Sequence, residues 1–330
     1  MDETQDKLTR LLRRETGEDV TVKKVTALTG GAASLTFGVE ALRDGKPWRL
    51  IFQRDEAEES ASVGGMTRAV QAALQMRAYE AGLPVAKVVA VPQAGDGLGQ
   101  GFVMERIDGE SLAPKYLRLP EYAAAREAMV GQCAAALAKL HAIPIAEVAD
   151  LKLPVGSPAD ARAAMYDRYR SYGVDSPVFD LAFAWLVERL PADAPSALIH
   201  GDFRSGNFLV GEGGLTAILD WELAQIGHPM EDIGWLSTNT WRFGEWQKPI
   251  GGFGERDAFY EAYAAAGGRV DRSLARVFEL WGSLRWGVMC LQLAHSHMSG
   301  VRRSVEMAAI GRRVSETEID ILHILKQGEV

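Results

Sequence analysis

Residues 199–210 read Ile-His-Gly-Asp-Phe-Arg-Ser-Gly-Asn-Phe-Leu-Val, and residues 217–222 read Ala-Ile-Leu-Asp-Trp-Glu. These two segments constrain the chain more than any other feature. The apolar runs 208–210 and 215–219 flank a glycine-rich turn at 211–214, which is the pattern of a hairpin. That hairpin brings Asp202, Asn207 and Asp220 to one edge of a ribbon. An acid, an amide and a second acid so placed suit a metal–phosphate site. The first carboxylate can orient or deprotonate a hydroxyl, while the amide and the second carboxylate share a magnesium ion with phosphates. Singly, each residue has a bland explanation: a turn-capping Asp, a turn Asn, a strand-end Asp. Their coincidence argues for chemistry.

The bulk properties narrow the class. A chain of 330 residues makes one large or two modest domains. A net charge of −8 argues against a nucleic-acid partner and tolerates a cationic substrate without identifying one. Cys133 and Cys290 are the only cysteines and lack metal-ligand spacing, so a reducing, cytoplasmic setting is expected. Charge from Asp2 onward is unlike a secretory signal, and no apolar run is long enough to span a bilayer, so no membrane partner is expected.

Periodicity divides the chain in two. Residues 6–16 read as a helix with Leu8, Leu11 and Leu12 on one face. Strand patterns follow at 20–27, 35–41 and 47–52, with Asp44-Gly45 as a tight hairpin turn between the last two. A loop at 55–65 leads to a helix at 66–81, then strands at 83–91 and 101–106. Residues 104–109 read as a connector. Beyond it the pattern is helical: 121–141, 159–172, 179–190, 231–240, 257–266, 273–299 and 303–326. Met129, Cys133, Leu137 and Leu140 mark the buried face of the first of these. The expected class is α+β, with an antiparallel-sheet lobe at 1–106 and a mainly helical lobe at 107–330.

An antiparallel lobe, a connector, and a helical lobe carrying H-G-D-x-x-x-x-N and I-L-D together resemble the aminoglycoside phosphotransferase and choline-kinase-like family. Residues 217–224 and 227–235 look most like the bacterial branch related to the kinase-like domains fused to acyl-CoA dehydrogenases. The resemblance covers nearly the whole chain and is strongest at 198–236. It implies a bilobal protein-kinase-like fold that uses ATP, or GTP, and Mg2+ to phosphorylate a hydroxyl of a small molecule. It implies that Asp202 is the catalytic carboxylate and that Asn207 and Asp220 hold the metal. Arg204 either contacts the transferring phosphoryl group or is a surface Arg paired with an acid. His200 would support the catalytic loop, and Asp232 would hydrogen-bond its backbone. Glu222 either reaches the metal through water or faces solvent. Gly30, Gly31 and Ser34 would cover the nucleotide phosphates, and the segment from Met104 to Ile107 would offer backbone groups to adenine.

One element of the family pattern is missing. Kinase-like enzymes place a cation on the third strand, paired with an acid on the following helix. Here Gln53 takes the strand position and Gln71 the helix position, while alternation puts Arg54 on the opposite face from Gln53. Three readings stand: Arg54 reaches around through a strand irregularity, Arg204 or Arg68 compensates, or nucleotide binding is weak. The last favours a non-catalytic, pseudokinase-like nucleotide-binding protein, which the intact Asp, Asn, Asp set opposes. The family's Gly-Asp-Pro becomes Gly227-His228-Pro229, so His228 either enters the acceptor cleft or sits in the loop. His295 and His297 read as structural. Trp235, Trp241, Trp281, Arg285 and Trp286 read as core and as the wall of the acceptor pocket. The acceptor stays open between an aminoglycoside, a hydroxyacyl thioester and another metabolic alcohol. No cluster of acids favours the cationic option.

Overall fold

The computed structural model describes residues 3–28, 34–55, 66–192 and 197–327. Helix α1 (Glu3–Thr16) buries Leu8, Leu11 and Leu12, as the spacing predicts. It lies on a five-stranded antiparallel sheet of β1 (Val20–Leu28), β2 (Ser34–Arg43), β3 (Lys46–Asp55), β4 (Val88–Ala90) and β5 (Gly101–Glu105), in the order β1-β2-β3-β5-β4. The β2–β3 turn has positive φ at both Asp44 (50°) and Gly45 (76°), the geometry that lets a two-residue hairpin follow the strand twist.

Alternation along β3 sorts the site from the packing. Leu50 and Phe52 join Val20, Val22, Val39 and Val103 in the core beneath α1. Gln53 and Asp55 fall on the other face, where Phe102, the register partner of Gln53, packs with Ala72 of α2 (Arg68–Glu80). Thr67 caps α2, its hydroxyl accepting from the Val70 amide at 3.4 Å.

The strand expected at 83–91 is shorter, only Val88–Ala90. Pro84 has no amide to give to a ladder. Its carbonyl instead accepts from the Ile218 amide at 2.8 Å, so this stretch ties the sheet lobe to the hairpin of the helical lobe. The connector adds a second tie: Glu110 and Val210 exchange backbone hydrogen bonds at 2.9 and 3.1 Å.

A short helix, α3 (Ala113–Arg118), follows; the sequence pattern gave no sign of it. Helix α4 (Ala123–His141) buries Met129, Cys133, Leu137 and Leu140 in the main core. Around it lie α5 (Pro158–Ser171), α6 (Pro177–Val187), α7 (Pro229–Ser237), α8 (Arg256–Ala265) and α9 (Arg272–Met298). The helix expected at 303–326 is two: α10 (Val305–Gly311) and α11 (Val314–Lys326). Gly311, a weak helix former, stands at the break, where the amides of Arg312 and Arg313 turn back to Ala309 and Ile310. Two small ribbons complete the lobe: β6 (Ala197–Ile199) with β9 (Gln225–Gly227), and β7 (Phe208–Gly211) with β8 (Gly214–Ile218). Among the described residues, no single helix is long and apolar enough to cross a membrane.

Candidate active site

The segment between β6 and β7 is a loop held from below. Asp232, fully buried near the start of α7, accepts the amides of His200 and Gly201, each at 2.8 Å. Its Oδ2 also accepts from Nε2 of His141 at 3.1 Å, and Nδ1 of that ring accepts from the Tyr263 hydroxyl at 2.8 Å. Burial pushes the Asp232 carboxyl up, but the His141 bond, the nearby rings and the backbone amides outweigh it and hold the carboxyl low. Gly201 has φ of 76°, and a Cβ there would lie 2.2 Å from the Leu223 carbonyl oxygen. Only glycine lets the loop pass that close.

His200 is buried and locked in one tautomer. The Asp202 amide donates to its Nδ1 at 3.2 Å, so Nε2 carries the proton and donates to the Leu219 carbonyl at 3.1 Å. Burial holds its pKa below the ordinary imidazole range, against the pull of the surrounding carboxylates. A neutral ring with both nitrogens engaged is a strut joining the loop to the end of β8, and it has no proton to exchange with a substrate. A further bond, Leu219 amide to Asn207 carbonyl at 2.8 Å, closes the same junction.

Asp202, Asn207 and Asp220 come together here. Asp202 is 8% exposed and accepts three side-chain bonds: Asn207 Nδ2 at 2.6 Å, Trp235 Nε1 at 2.7 Å and Arg204 Nε at 2.9 Å. Asn207 Nδ2 also donates to the Asp202 carbonyl at 3.0 Å. The carboxylate thus fixes the amide orientation, because a flipped amide would set oxygen against oxygen; the Asn207 oxygen is the atom suited to a cation. Asp220 sits at φ of 64°, a left-handed conformation that costs a non-glycine residue about 1 kcal/mol and that clusters at functional sites. Its side chain reaches solvent, yet the surrounding protein crowds out enough water to raise its pKa, with the charge of Asp202 adding to the rise. Glu222 is half-buried and is pushed up to about 7, first by desolvation and then by Asp220. Crowded carboxylates that resist ionisation are what a divalent ion would relieve. Among the described residues, no three His, Cys, Asp or Glu side chains form a self-sufficient metal cluster. An Asn–Asp pair fits a magnesium ion that takes its other ligands from phosphate and water.

Arg204 does pair with an acid, but the acid is Asp202 itself, and its guanidinium lies 4.2 Å from the centre of the Trp241 ring. Trp235 stacks under Arg285 at 4.4 Å, and Arg285 donates to the Gly201 carbonyl at 3.2 Å. Trp235 and Trp241 thus wall the Asp202–Arg204 pair as well as pack together. His228 sits in the loop. Its Nδ1 accepts the Met230 amide at 3.1 Å to cap α7, and its ring stacks on Phe278. His295 packs on Tyr172, and His297 accepts the Ser304 amide.

The nucleotide-side residues are more scattered. Gly30 and Gly31 lie outside the described residues. Ser34 opens β2 opposite Asp55. Gln53 faces α2. Arg54 does not join it: its guanidinium lies 5.6 Å from the Phe37 ring, and Phe37 pairs with Phe52 on the α1 face. No strand irregularity turns it back, because the β2–β3 register runs unbroken from Ser34 to Arg43. Met104 stands in β5 beside Val88, and Gln75 Nε2 reaches its sulfur at 3.5 Å. The amides of Glu105 and Arg106 are already spent on Lys87 and Arg49, which leaves half-buried Ile107 as the first residue past the sheet.

Asp232 bonds the loop backbone as the resemblance implies, whereas sequence reasoning missed its bracing by His141 and Tyr263 and the buried ion pair between Arg68 and Asp55, 2.7 Å from Nε to Oδ1. His141 had a local signal, being the last residue of the amphipathic pattern before Pro144. The other contacts join distant segments that no spacing connects.

Comparison with known proteins agrees with this geometry. A family model described as the phosphotransferase enzyme family matches residues 24–278. Mouse acyl-CoA dehydrogenase family member 11 is 31% identical over 175 residues, which cover 50% of this chain and 22% of that protein, so the match spans about a fifth of its length. A candidate aminoglycoside phosphotransferase from Ralstonia eutropha superposes with a TM-score of 0.76 at 18% identity, covering 98% of both chains. A hygromycin B-bound aminoglycoside phosphotransferase solved with AMP-PNP has a TM-score of 0.60 at 17% identity, covering 97% of this chain and 98% of that one. The fold is therefore the protein-kinase-like fold of these enzymes, and the chain belongs to the phosphotransferase enzyme family.

Proposed function

We propose that the protein transfers the terminal phosphoryl group of ATP, or of GTP, to a hydroxyl of a small molecule, with Mg2+ as the bridging ion. The observation that carries this reading is the hydrogen-bonded convergence of Asp202 and Asn207 beside Asp220 on one hairpin edge. Asp202 accepts the acceptor's hydroxyl as a hydrogen-bond donor, orients it in line and takes its proton late. Arg204, already on that carboxylate, faces the phosphoryl group in transit. Asn207 and Asp220 would hold the magnesium, which would supply positive charge against the phosphates. Gly30, Gly31, Ser34, Gln53 and the segment from Met104 to Ile107 line the nucleotide, with Ile107 the backbone contact to the base. In this reading residues 1–106 form the nucleotide lobe and residues 107–330 the catalytic and acceptor lobe.

The relatives support phosphoryl transfer without fixing the acceptor, since solved neighbours include kanamycin and hygromycin B complexes and macrolide phosphotransferases, and curated relatives include acyl-CoA dehydrogenase family members and a 4-hydroxytryptamine kinase. The test is a panel of hydroxylated metabolites and aminoglycosides incubated with ATP or GTP and Mg2+. ADP or GDP release should depend on the acceptor, and mass spectrometry should find a phosphorylated product. Mg-dependent nucleotide binding with no turnover on any acceptor would favour the non-catalytic reading instead.

A further inference from the structure

We propose that Arg68 is the cation that meets the nucleotide's phosphates, and that the strand-to-helix clamp of this chain has its charges exchanged between strand and helix. The proposal rests on the kinase reading above and extends it. The family pattern puts a cation on the third strand and an acid on the helix. Here the two corresponding positions are the neutral Gln53 and Gln71. The end of β3 carries the acid, Asp55, and the first turn of α2 carries the cation, Arg68. Arg68 Nε donates to Asp55 Oδ1 at 2.7 Å, and its Nη1 donates to Gln71 Oε1 at 2.8 Å. The Gln71 amide donates in turn to the Met66 carbonyl at 3.4 Å, which turns its oxygen toward Arg68. The charged side chains are 2% and 3% exposed, so the pair is nearly as dry as the core.

Three observations select Arg68 over the alternatives. Arg54 is on the α1 face, against Phe37. Arg204, on Asp202 and Trp241 in the other lobe, is placed for the phosphoryl group in transit and not for the strand-to-helix position. Arg68 shares the sheet face of Gln53 and is bonded to Gln71, so it stands between the two positions of the family's pair. A buried ion pair is a poor way to hold a helix on a strand, because desolvation offsets most of the attraction and an apolar pair would serve as well. Keeping a charged pair beside Gln53 and Gln71 is explained by electrostatic use. The residue type fits: a guanidinium has five N–H donors in a rigid fork, and two of them serve Asp55 and Gln71.

The test is calorimetric titration of ATP, ADP, AMP and adenosine, with Mg2+, into wild-type protein, Arg68→Lys, Arg68→Gln and the double variant Asp55→Asn/Arg68→Gln. Thermal melting checks that each is folded. The double variant removes both charges and so avoids stranding a buried carboxylate if Arg68→Gln alone does not fold. Loss of one charge-assisted contact should weaken ATP roughly 30-fold, ADP less, and adenosine within about twofold. Arg68→Lys should fall between wild type and Arg68→Gln. ATP binding within about threefold of wild type in a folded neutral variant would overturn the proposal. So would an equal loss for ATP and adenosine, or failure of every neutral variant to fold, since either makes Arg68 a purely structural residue. Wild-type protein that binds no nucleotide would instead overturn the kinase reading on which this rests.

Discussion

The two sides of the cleft are built in different ways. The catalytic side is over-determined. Its loop is gripped by Asp232, His141, Tyr263, His200 and Arg285, so its backbone is positioned by buried bonds, and the side chains of Asp202 and Asn207 are bonded to one another. Among the described residues, the sheet side is tied chiefly by the Asp55–Arg68–Gln71 clamp and by the bonds of Pro84 and Glu110. On the hairpin side, this chain keeps the Asp202, Asn207 and Asp220 set of the family pattern. In the proposed reading, the charge that meets the phosphates moves to another element.

Substitutions can break or sharpen that contrast. The largest effect should come from Asp202→Asn, which keeps the shape but removes the proton acceptor. Turnover, read as ADP release with an acceptor found in the panel, should fall about 10³-fold, and a rate near wild type would remove Asp202 from catalysis. Asp232→Ala should cost about 3–5 kcal/mol in chemical denaturation, because it strands two buried backbone amides and a histidine. A loss below about 1 kcal/mol would mean that the loop is not braced there.

Glu231 gives a smaller, pH-dependent effect. Burial first, and then the charge of Asp232, raise its carboxyl to about 7, against the pull of Arg285. The folded form therefore keeps a proton that the unfolded chain has released. Glu231 lowers stability progressively as pH rises from its ordinary value of 4.5 toward 7. Glu231→Gln should flatten that decline, so the variant's melting temperature gains on wild type at pH 8 and not at pH 4. An unchanged difference across that range would contradict the assignment. The smallest effect belongs to Arg54→Ala, which should leave ATP affinity within about twofold; a tenfold loss would place Arg54 back among the phosphate contacts.

The contrast also explains what the sequence could tell. Asp202, Asn207 and Asp220 were legible because one hairpin holds them within nineteen positions, and a hairpin announces itself by alternation and a glycine turn. The α1 face, α4 and the β2–β3 turn were legible for the same local reasons. The Arg68–Asp55 pair was not, because its partners flank a stretch without periodicity and the charges stand on the opposite elements from the family pattern. Nor was the brace under the loop, since His141, Asp232 and Tyr263 come from α4, α7 and α8, and tertiary packing alone brings them together. The shortened β4 and the divided last helix turn on single residues, Pro84 and Gly311, that a window average passes over.

The central claim is that Asp202, Asn207 and Asp220 form one metal–nucleotide edge. Calorimetric titration of ATP with and without Mg2+, on wild-type protein and on Asp220→Ala, tests it most directly. Wild-type protein should bind ATP tightly only with Mg2+, and the variant should lose that metal-dependent gain. Binding that ignores Mg2+, or a folded Asp220→Ala that keeps the full gain, would contradict it.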